Sequence, residues 1–514
     1  MKYNFSIIFW LLLIIFSDIR AENTLNRGNG SEPDSLNIHL AEGLNSHNIL
    51  RDLYEGLMTL DVNGKPIYGV AESHSVKGNI WTFNLRKNAK WSDGNRLVAA
   101  DFVRAWRLAI DPQTAAPYAF LLNNILHAKK IMHMKLSPDS LLVTAIDDHT
   151  LEIRLWQADS AFLEKLSLPI FYPLARRANS NKTGNHQIIS NGAYSLAEWN
   201  IQEKIVLKKN LHYHNAEKIY FDKVNYWVTE NQSSELKRFR AGELDITESI
   251  PDSQIDWIKQ NLPQQLRIAP YLGSFFLGLN LADKHLKNHK LRQALSLAIN
   301  RDILTAKVLK TGQQPAYHIV PRDLLNTTAS TSDSKEIERA AQAKQLLVQS
   351  GINIQDLKIE ILYNNSENQR KVAIAIAAMW RQTLGIRARL LNQEWKVFVQ
   401  SRKSNKRQAF RSGWIADYAD ALSFLELFTT NSRFNFYRYK NPEYDALIVK
   451  ISQTTDQIIK NQLIEQAENM LLHDIPVIPL YYYVSRHLVN SQLLGFEDNV
   501  ADRHLSKYIY RKEN

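Results

Sequence analysis

Between Phe410 and Tyr418 the chain reads Phe-Arg-Ser-Gly-Trp-Ile-Ala-Asp-Tyr. A permanent cation (Arg411), a bare backbone (Gly413), a large aromatic (Trp414) and an anion (Asp417) fall within seven residues. On an extended segment Arg411, Gly413, Ile415 and Asp417 share one face. The two charges then lie at most roughly 20 Å apart, at about 3.3 Å per residue. Opposite charges at that reach suit the two ends of a zwitterion a few residues long, and the glycine between them lets another backbone approach closely. The same pattern also describes a strand whose charges are solvated and whose Trp is core.

Other chemistry is thinly represented. The chain has no nucleophile elbow, phosphate loop, dinucleotide fingerprint or paired-histidine zinc helix. His212 and His214 stand two apart without a third ligand and read as solvated loop residues. Asp147-Asp148 reads as a turn before a strand. No cysteine occurs in the 514 residues, which excludes disulfides, thiolate metal sites, a cysteine nucleophile and a lipid-modified N-terminal cysteine. Trp81, Trp91, Trp106, Trp380, Trp395 and Trp414 are spread over both halves. Most of these belong in cores, but several lining one site would hold an extended ligand by apolar contact and leave its side chains unread.

The elements that position these residues follow from periodicity. Leu36 to Gly43 reads as a strand ending in a turn, with Ser46 capping a helix through Ile49, Leu53 and Leu57. Ile80 to Arg86 and Thr150 to Leu155 alternate as strands, flanking a helix from Ala99 that Pro112 stops. Asn191 to Trp199 and Lys204 to Lys208 read as a hairpin. Arg238 to Ile246 reads as a helix end, a glycine stop and a strand. From Ala269 the texture is α/β: a strand at Phe275 to Asn280, helix faces at Leu291 to Ile299 and Ile337 to Leu347, then strand Leu357 to Tyr363, helix Gln369 to Leu384 and strand Ile386 to Leu390. The last three form a βαβ unit, and ligands of such sheets gather at the carboxyl ends of the strands. Phe410 to Tyr418 and Val477 to Val484 are later strands of the same lobe.

Lys2, the apolar run Phe5 to Phe16 and Ala21 before Glu22 read as a secretory signal, the run being too short for the roughly 20 residues of a membrane span. An uncleaved N-terminal anchor is the alternative. Without Lys2, Asp18 and Arg20 the charge is (63 − 2) − (52 − 1) = +10, interleaved along the chain. That balance is weak grounds for a nucleic-acid partner.

Taken in order, Ala71-Glu72, Trp81-Thr-Phe-Asn-Leu-Arg86, Trp91-Ser-Asp-Gly94, Ala100-Asp101-Phe102-Val103, Asp111-Pro112-Gln-Thr-Ala-Ala-Pro-Tyr118-Ala119, Asn191-Gly-Ala-Tyr194, Arg240-Ala-Gly-Glu-Leu-Asp245, Asn392-Gln-Glu-Trp395 and Leu480-Tyr-Tyr-Tyr-Val484 carry a resemblance. The chain resembles the extracellular solute-binding proteins of family 5, and among them the peptide receptors of ABC importers. The resemblance implies an α/β periplasmic binding-protein fold, type II-like, whose two lobes close by a hinge, with an extra third domain. Residues 1–21 would be the signal; 22–55, 174–270 and 485–514 a discontinuous first lobe; 56–173 the extra domain; and 271–484 the other lobe.

It also implies roles. Asp417 would take a peptide's ammonium, and Arg411 and Arg402 its carboxylate. Backbone at Gly43, with Glu42 and Leu44 beside it, and at Gly413, beside Ile415, would pair with the peptide main chain. Tyr118, Trp395, Trp414 and Tyr483 would line the site. Gln369 stands where some members have a carboxylate-binding histidine, and Gly273 and Ile415 stand where they have two cysteines. The implied protein is a periplasmic, monomeric receptor, with no enzymatic activity, cofactor, metal or nucleic acid, that passes short peptides to a permease with a cytoplasmic ATPase. Alternatives on the same fold are murein peptides, antimicrobial peptides or haem as ligand, and an exported peptidase is the alternative from another class.

Overall fold

A computed structural model describes residues 23–512 apart from 160, 177–187, 325–335, 405, 419 and 455. The secretory signal lies outside the described residues. Among the described residues no helix is long and apolar enough to cross a membrane.

Three larger sheets organise the chain. The first joins distant segments: Thr24–Gly28 runs parallel to Lys223–Trp227, which pairs antiparallel with Lys204–Lys209 and through it with Tyr194–Asn200. The C-terminal segment packs onto the same region. Ser506 N–H donates to Asp52 Oδ1 at 3.0 Å, and Arg27 Nη1 donates to His504 O and Ser506 Oγ, both at 2.7 Å. The second sheet is all antiparallel, in the order Ala71–Lys77, Ile80–Leu85, Thr150–Arg154, Val143–Asp147. The helix Ala99–Ile110 packs against it, burying Phe102 and Trp106.

The third sheet is mixed, in the order Ala388–Gln393, Ile359–Asn364, Ala409–Ile415, Leu266–Leu279, Val477–Leu488. Its period-2 alternation feeds two cores. Phe275, Leu277, Ile359 and Ile361 face one, which Trp380 fills from the helix Glu367–Leu384. Phe276, Leu362 and Phe410 face the other. The expected βαβ unit is present, Ile359–Asn364 and Ala388–Gln393 being parallel across that helix. Leu266–Leu279 and Val477–Leu488 form a long antiparallel ribbon that runs out of this sheet toward the first, with its register shifted between Pro270 and Ser274.

Four expectations are corrected. Leu36 to Gly43 is not a strand. The Asn37 carbonyl accepts the N–H groups of Leu40 and Ala41, closing turns that bury Leu36 and Ile38. Ser46 does not cap the next helix, which starts at Leu44 with Gly43 as its cap and ends at Leu53, leaving Leu57 outside. Ser46 Oγ lies inside it and donates to Asp34 Oδ1 at 2.6 Å. After the helix Gln232–Arg240 and Gly242 at φ +76°, Ile246 makes only isolated bridges to Arg27 and Val489. His214 is not solvated. Its Nε2 lies 2.6 Å from Glu55 Oε1, and both side chains are buried, because Glu55 is a buried carboxylate needing donors.

Candidate functional site

The Ala409–Ile415 strand pairs parallel to Ile359–Asn364 only at Ala409 and Phe410, and thereafter only to Leu266–Leu279 on its other side. Ala416 N–H donates to Leu272 O at 2.8 Å. By strand alternation the backbone groups of Trp414 and Ser412 point the same way, and those of Gly413 and Ile415 point to the opposite, uncovered edge. That edge borders a cavity of about 370 Å³. The cavity also meets Asn364, the last residue of a parallel strand, Asn365 just past it, and Trp395, which opens the helix Trp395–Arg402. All thirteen residues named from the sequence line it: Glu42, Gly43, Leu44, Tyr118, Gln369, Trp395, Arg402, Arg411, Gly413, Trp414, Ile415, Asp417 and Tyr483.

Two guanidiniums sit in an aromatic box. Arg411 Cζ lies 5.5 Å from the Trp395 ring centre and 5.8 Å from those of Phe275 and Phe398. Arg402 Cζ lies 4.7 Å from that of Phe436. The Nε of each is buried without a hydrogen-bond partner. Burial, with Arg411 alongside, pulls the Arg402 guanidinium below its ordinary range. Among the described residues neither arginine pairs with a carboxylate within 4.0 Å, so the box is electrostatically open to an anion. Gln369 Oε1, in the first turn of Glu367–Leu384, is a further buried atom without a partner.

Asp417 follows the strand, in a turn fixed from both sides. Its N–H donates to Ser423 Oγ at 3.1 Å, as does Trp414 Nε1 at 3.2 Å, and its carbonyl accepts from Arg503 Nη2 at 2.6 Å. Burial pushes its carboxyl up to about 6, against the pull of Arg503 and Arg51. It is thus a carboxylate held short of solvation, for which a cation is a favourable neighbour.

The opposite wall is the loop at Gly43. Asp34 accepts the N–H groups of Glu42 at 2.7 Å and Gly43 at 2.9 Å. The Gly43 carbonyl receives Ser46 and His47 N–H. Main-chain pairing expected of Gly43 is therefore occupied within the chain, and the open edge belongs to Gly413 and Ile415. Glu42 reaches across to Lys403, Oε1 to Nζ 3.3 Å, and its carbonyl accepts from Tyr118 Oη at 3.5 Å. Trp414 packs edge-on to Phe434. Tyr483 packs edge-on to Phe275.

Sequence reasoning passed over Asp34, Arg51, Tyr271, Ser423 and Arg503. The first and the last two act through loop hydrogen bonds no spacing announces, and Arg51 sits on a helix among apolar residues. Among the described residues one group could hold a metal, His487, Asp502 and His504. Both histidine Nε2 atoms lie 2.9 Å from Asp502 Oδ1, and Ser485 Oγ also donates to it. His487 Nδ1 donates to the Thr247 carbonyl. Burial opposes charge on His487, but Asp502 outweighs it and raises the imidazole to about 9. The trio is a satisfied ion cluster.

A chamber at the carboxyl ends of parallel strands, walled on its far side by a separate sheet region and joined to it by a two-strand ribbon, defines a binding protein whose lobes close over a solute. The chain belongs to the bacterial extracellular solute-binding proteins, family 5, whose middle region matches residues 65–436. It is 36% identical over 488 residues to the periplasmic oligopeptide-binding protein OppA of Escherichia coli (strain K12), covering 92% of this chain and 90% of that protein. The crystal structure of Haemophilus influenzae OppA in complex with RPPGFSPFR superposes with a TM-score of 0.91 at 34% identity, over 96% of this chain and 99% of that one. The Escherichia coli murein tripeptide binding protein MppA superposes at 0.93 and 35% identity, over 96% and 99% of the two chains. The unliganded open form of MppA reaches only 0.68, over 96% and 98%. The shape described is not that of the open form.

Proposed function

We propose that this protein is a periplasmic receptor that captures short peptides by their backbone and termini and delivers them to an ABC importer. The observation that carries the reading is the placement of the Asp417 carboxylate, the Arg402 and Arg411 guanidiniums and an uncovered strand edge in a single chamber. Asp417 takes the peptide's ammonium. Arg411 takes the terminal carboxylate, or Arg402 for other lengths, and Gly413 and Ile415 pair with the main chain as with an added strand. Every peptide shares those features, so affinity comes without sequence preference, and water fills around the variable side chains. The division into a discontinuous first lobe, an extra domain at 56–173 and a lobe at 271–484 is part of the reading, with the hinge at the ribbon's shifted register. So are the periplasmic address, the monomeric state and the permease and ATPase partners.

The relatives support it. OppA of Escherichia coli is named for oligopeptides, and MppA for a murein peptide. The family is one of solute-binding proteins, and the protein is read as a receptor that leaves its ligand intact. Titration calorimetry with tri-alanine tests this. Heat is expected with the free tripeptide and none with its N-acetylated form. Silence with both at millimolar ligand, or cleavage of the peptide, overturns the reading.

A further inference from the structure

The Asp417 end of the chamber carries two guanidiniums beside the carboxylate. Arg51, from the last turn of Leu44–Leu53, and Arg503, from the C-terminal segment, both line the cavity and are 9% and 7% exposed. Arg503 Nη2 is bonded to the Asp417 carbonyl at 2.6 Å, and Arg51 Nη1 reaches only the side-chain oxygen of Asn48, at 3.3 Å. Among the described residues neither makes an ion pair with a carboxylate within 4.0 Å. Asp502, which shares Tyr271 as a neighbour with both, is already held by Ser485, His487 and His504. His47, on the same helix as Arg51, is kept neutral, down to about 3, by burial and then by Arg51, with Arg503 adding to it. Burial and Arg503 likewise bring the Arg51 guanidinium down to about 10.

Two guanidiniums thus border Asp417, while the buried Glu248 carboxylate also lines the cavity near Tyr271. A ligand ammonium on Asp417 adds a positive charge beside both guanidiniums in a dry pocket, where unbalanced charge is costly. The ligand itself can restore the balance. An aspartate or glutamate at its first or second position, or the free α-carboxylate of a γ-linked glutamate, lies one short side chain from the ammonium and so within reach of Arg503 and Arg51. Guanidinium suits such a partner because its fork of donors matches a carboxylate.

Resting on the peptide reading, we infer that Arg51 and Arg503 form a carboxylate subsite beside Asp417, so that this receptor prefers peptides with an acidic group in their first two residues. Calorimetry on the whole chain tests it with tri-alanine, Glu-Ala-Ala, Ala-Glu-Ala, Ala-γ-D-Glu-Ala and Lys-Ala-Ala. At least one acidic peptide is expected to bind about tenfold or more tighter than tri-alanine, and Lys-Ala-Ala about tenfold weaker, the size of a well-placed charge pair. Which acidic peptide wins tells α-linked from γ-linked ligands. Arg503→Gln should bring the acidic-to-neutral ratio to near unity, and Arg503→Lys should keep most of it. Equal affinities across the series overturn the subsite and leave the receptor reading standing, whereas silence from every peptide overturns the receptor reading itself. The wild-type series decides the matter even if a variant fails to fold.

Discussion

A β-carbon built on Gly413 would lie 2.6 Å from the Tyr483 hydroxyl and 3.0 Å from the Ser274 carbonyl. Any side chain at 413 must therefore displace the hydroxyl of an aromatic two strands away in the sheet, with the neighbouring strand's carbonyl also close. Gly413→Val should push Tyr483 into the chamber and block the open edge. Thermal melts are expected to show a loss of about 1–3 kcal/mol, the usual cost of overpacking. Calorimetry is expected to show tri-alanine affinity lowered by much more than the stability loss. Full affinity in this variant would remove the strand edge from the proposed site.

Asp417→Asn isolates the ammonium contact. Removing one partner of a buried charge pair leaves the other uncompensated, so about 3–5 kcal/mol of peptide affinity should disappear. Stability should hold or rise, because the wild-type carboxyl is held up at about 6 by burial.

The same carboxyl gives binding a pH profile. Its folded value of about 6 lies above the ordinary 3.8. The folded protein therefore binds this proton more tightly than the unfolded chain, and the group adds stability as pH falls from 6 toward 3.8. Peptide binding works the other way, because an ammonium needs the ionised form. Affinity should be level above pH 6 and fall below it, with net proton release on binding near pH 6. Arg51 beside it, brought down to about 10, stays charged throughout. Calorimetry in buffers of different ionisation enthalpy measures the release. The Asp417→Asn variant should show none.

Gly273 and Ile415 face each other across antiparallel strands. Alternation from the Ala416–Leu272 bond makes them a non-hydrogen-bonded pair, in which Cα atoms approach to about 4.5 Å, within disulfide range. Replacing both with cysteine should give a bridge under oxidising conditions, readable as a mass loss of two hydrogens and a raised melting temperature. The gain should fall short of the ideal for so long a loop, because a β-carbon at 273 lies 2.7 Å from Tyr483 and native strain subtracts.

Glu55 anchors the C-terminal segment. Its carboxylate meets Lys507 Nζ at 2.9 Å and His214 Nε2 and Tyr213 Oη at 2.6 Å. Burial alone would raise its carboxyl, but Lys507 and His214 outweigh that and lower it to about 2. Its stabilising contribution is complete above the ordinary 4.5 and fades as pH falls toward 2. Glu55→Ala should cost about 3–5 kcal/mol by stranding Lys507, measured by urea unfolding at pH 7. A loss under 1 kcal/mol would contradict the network.

Much of this architecture is legible in the residues. Ile80–Leu85, Thr150–Arg154 and the βαβ unit around Trp380 carry clean periods of 2 and 3.6, because one face of each meets a core. The chamber's thirteen residues are named by the family resemblance that an ordered set of short motifs carries; spacing alone puts only Arg411 to Asp417 together. What escaped is long-range. Asp34 braces Gly43 through main-chain hydrogen bonds. Arg503 joins Asp417 across 86 positions, and nothing local marks a buried arginine. Leu36 to Gly43 alternates like a strand, yet Asn37 turns it back on itself.

The ribbon of Leu266–Leu279 and Val477–Leu488 has a mechanical corollary. Two strands paired along most of their length resist slipping past one another, so the proposed hinge would be a shared flex at the irregular stretch beside Pro270, like a book opening on its spine. Tyr483 rides on that spine. On that proposal a guest would keep one flank sheltered there even when the covers part, and would enter and leave past the fore-edge, where Glu42 and Lys403 meet.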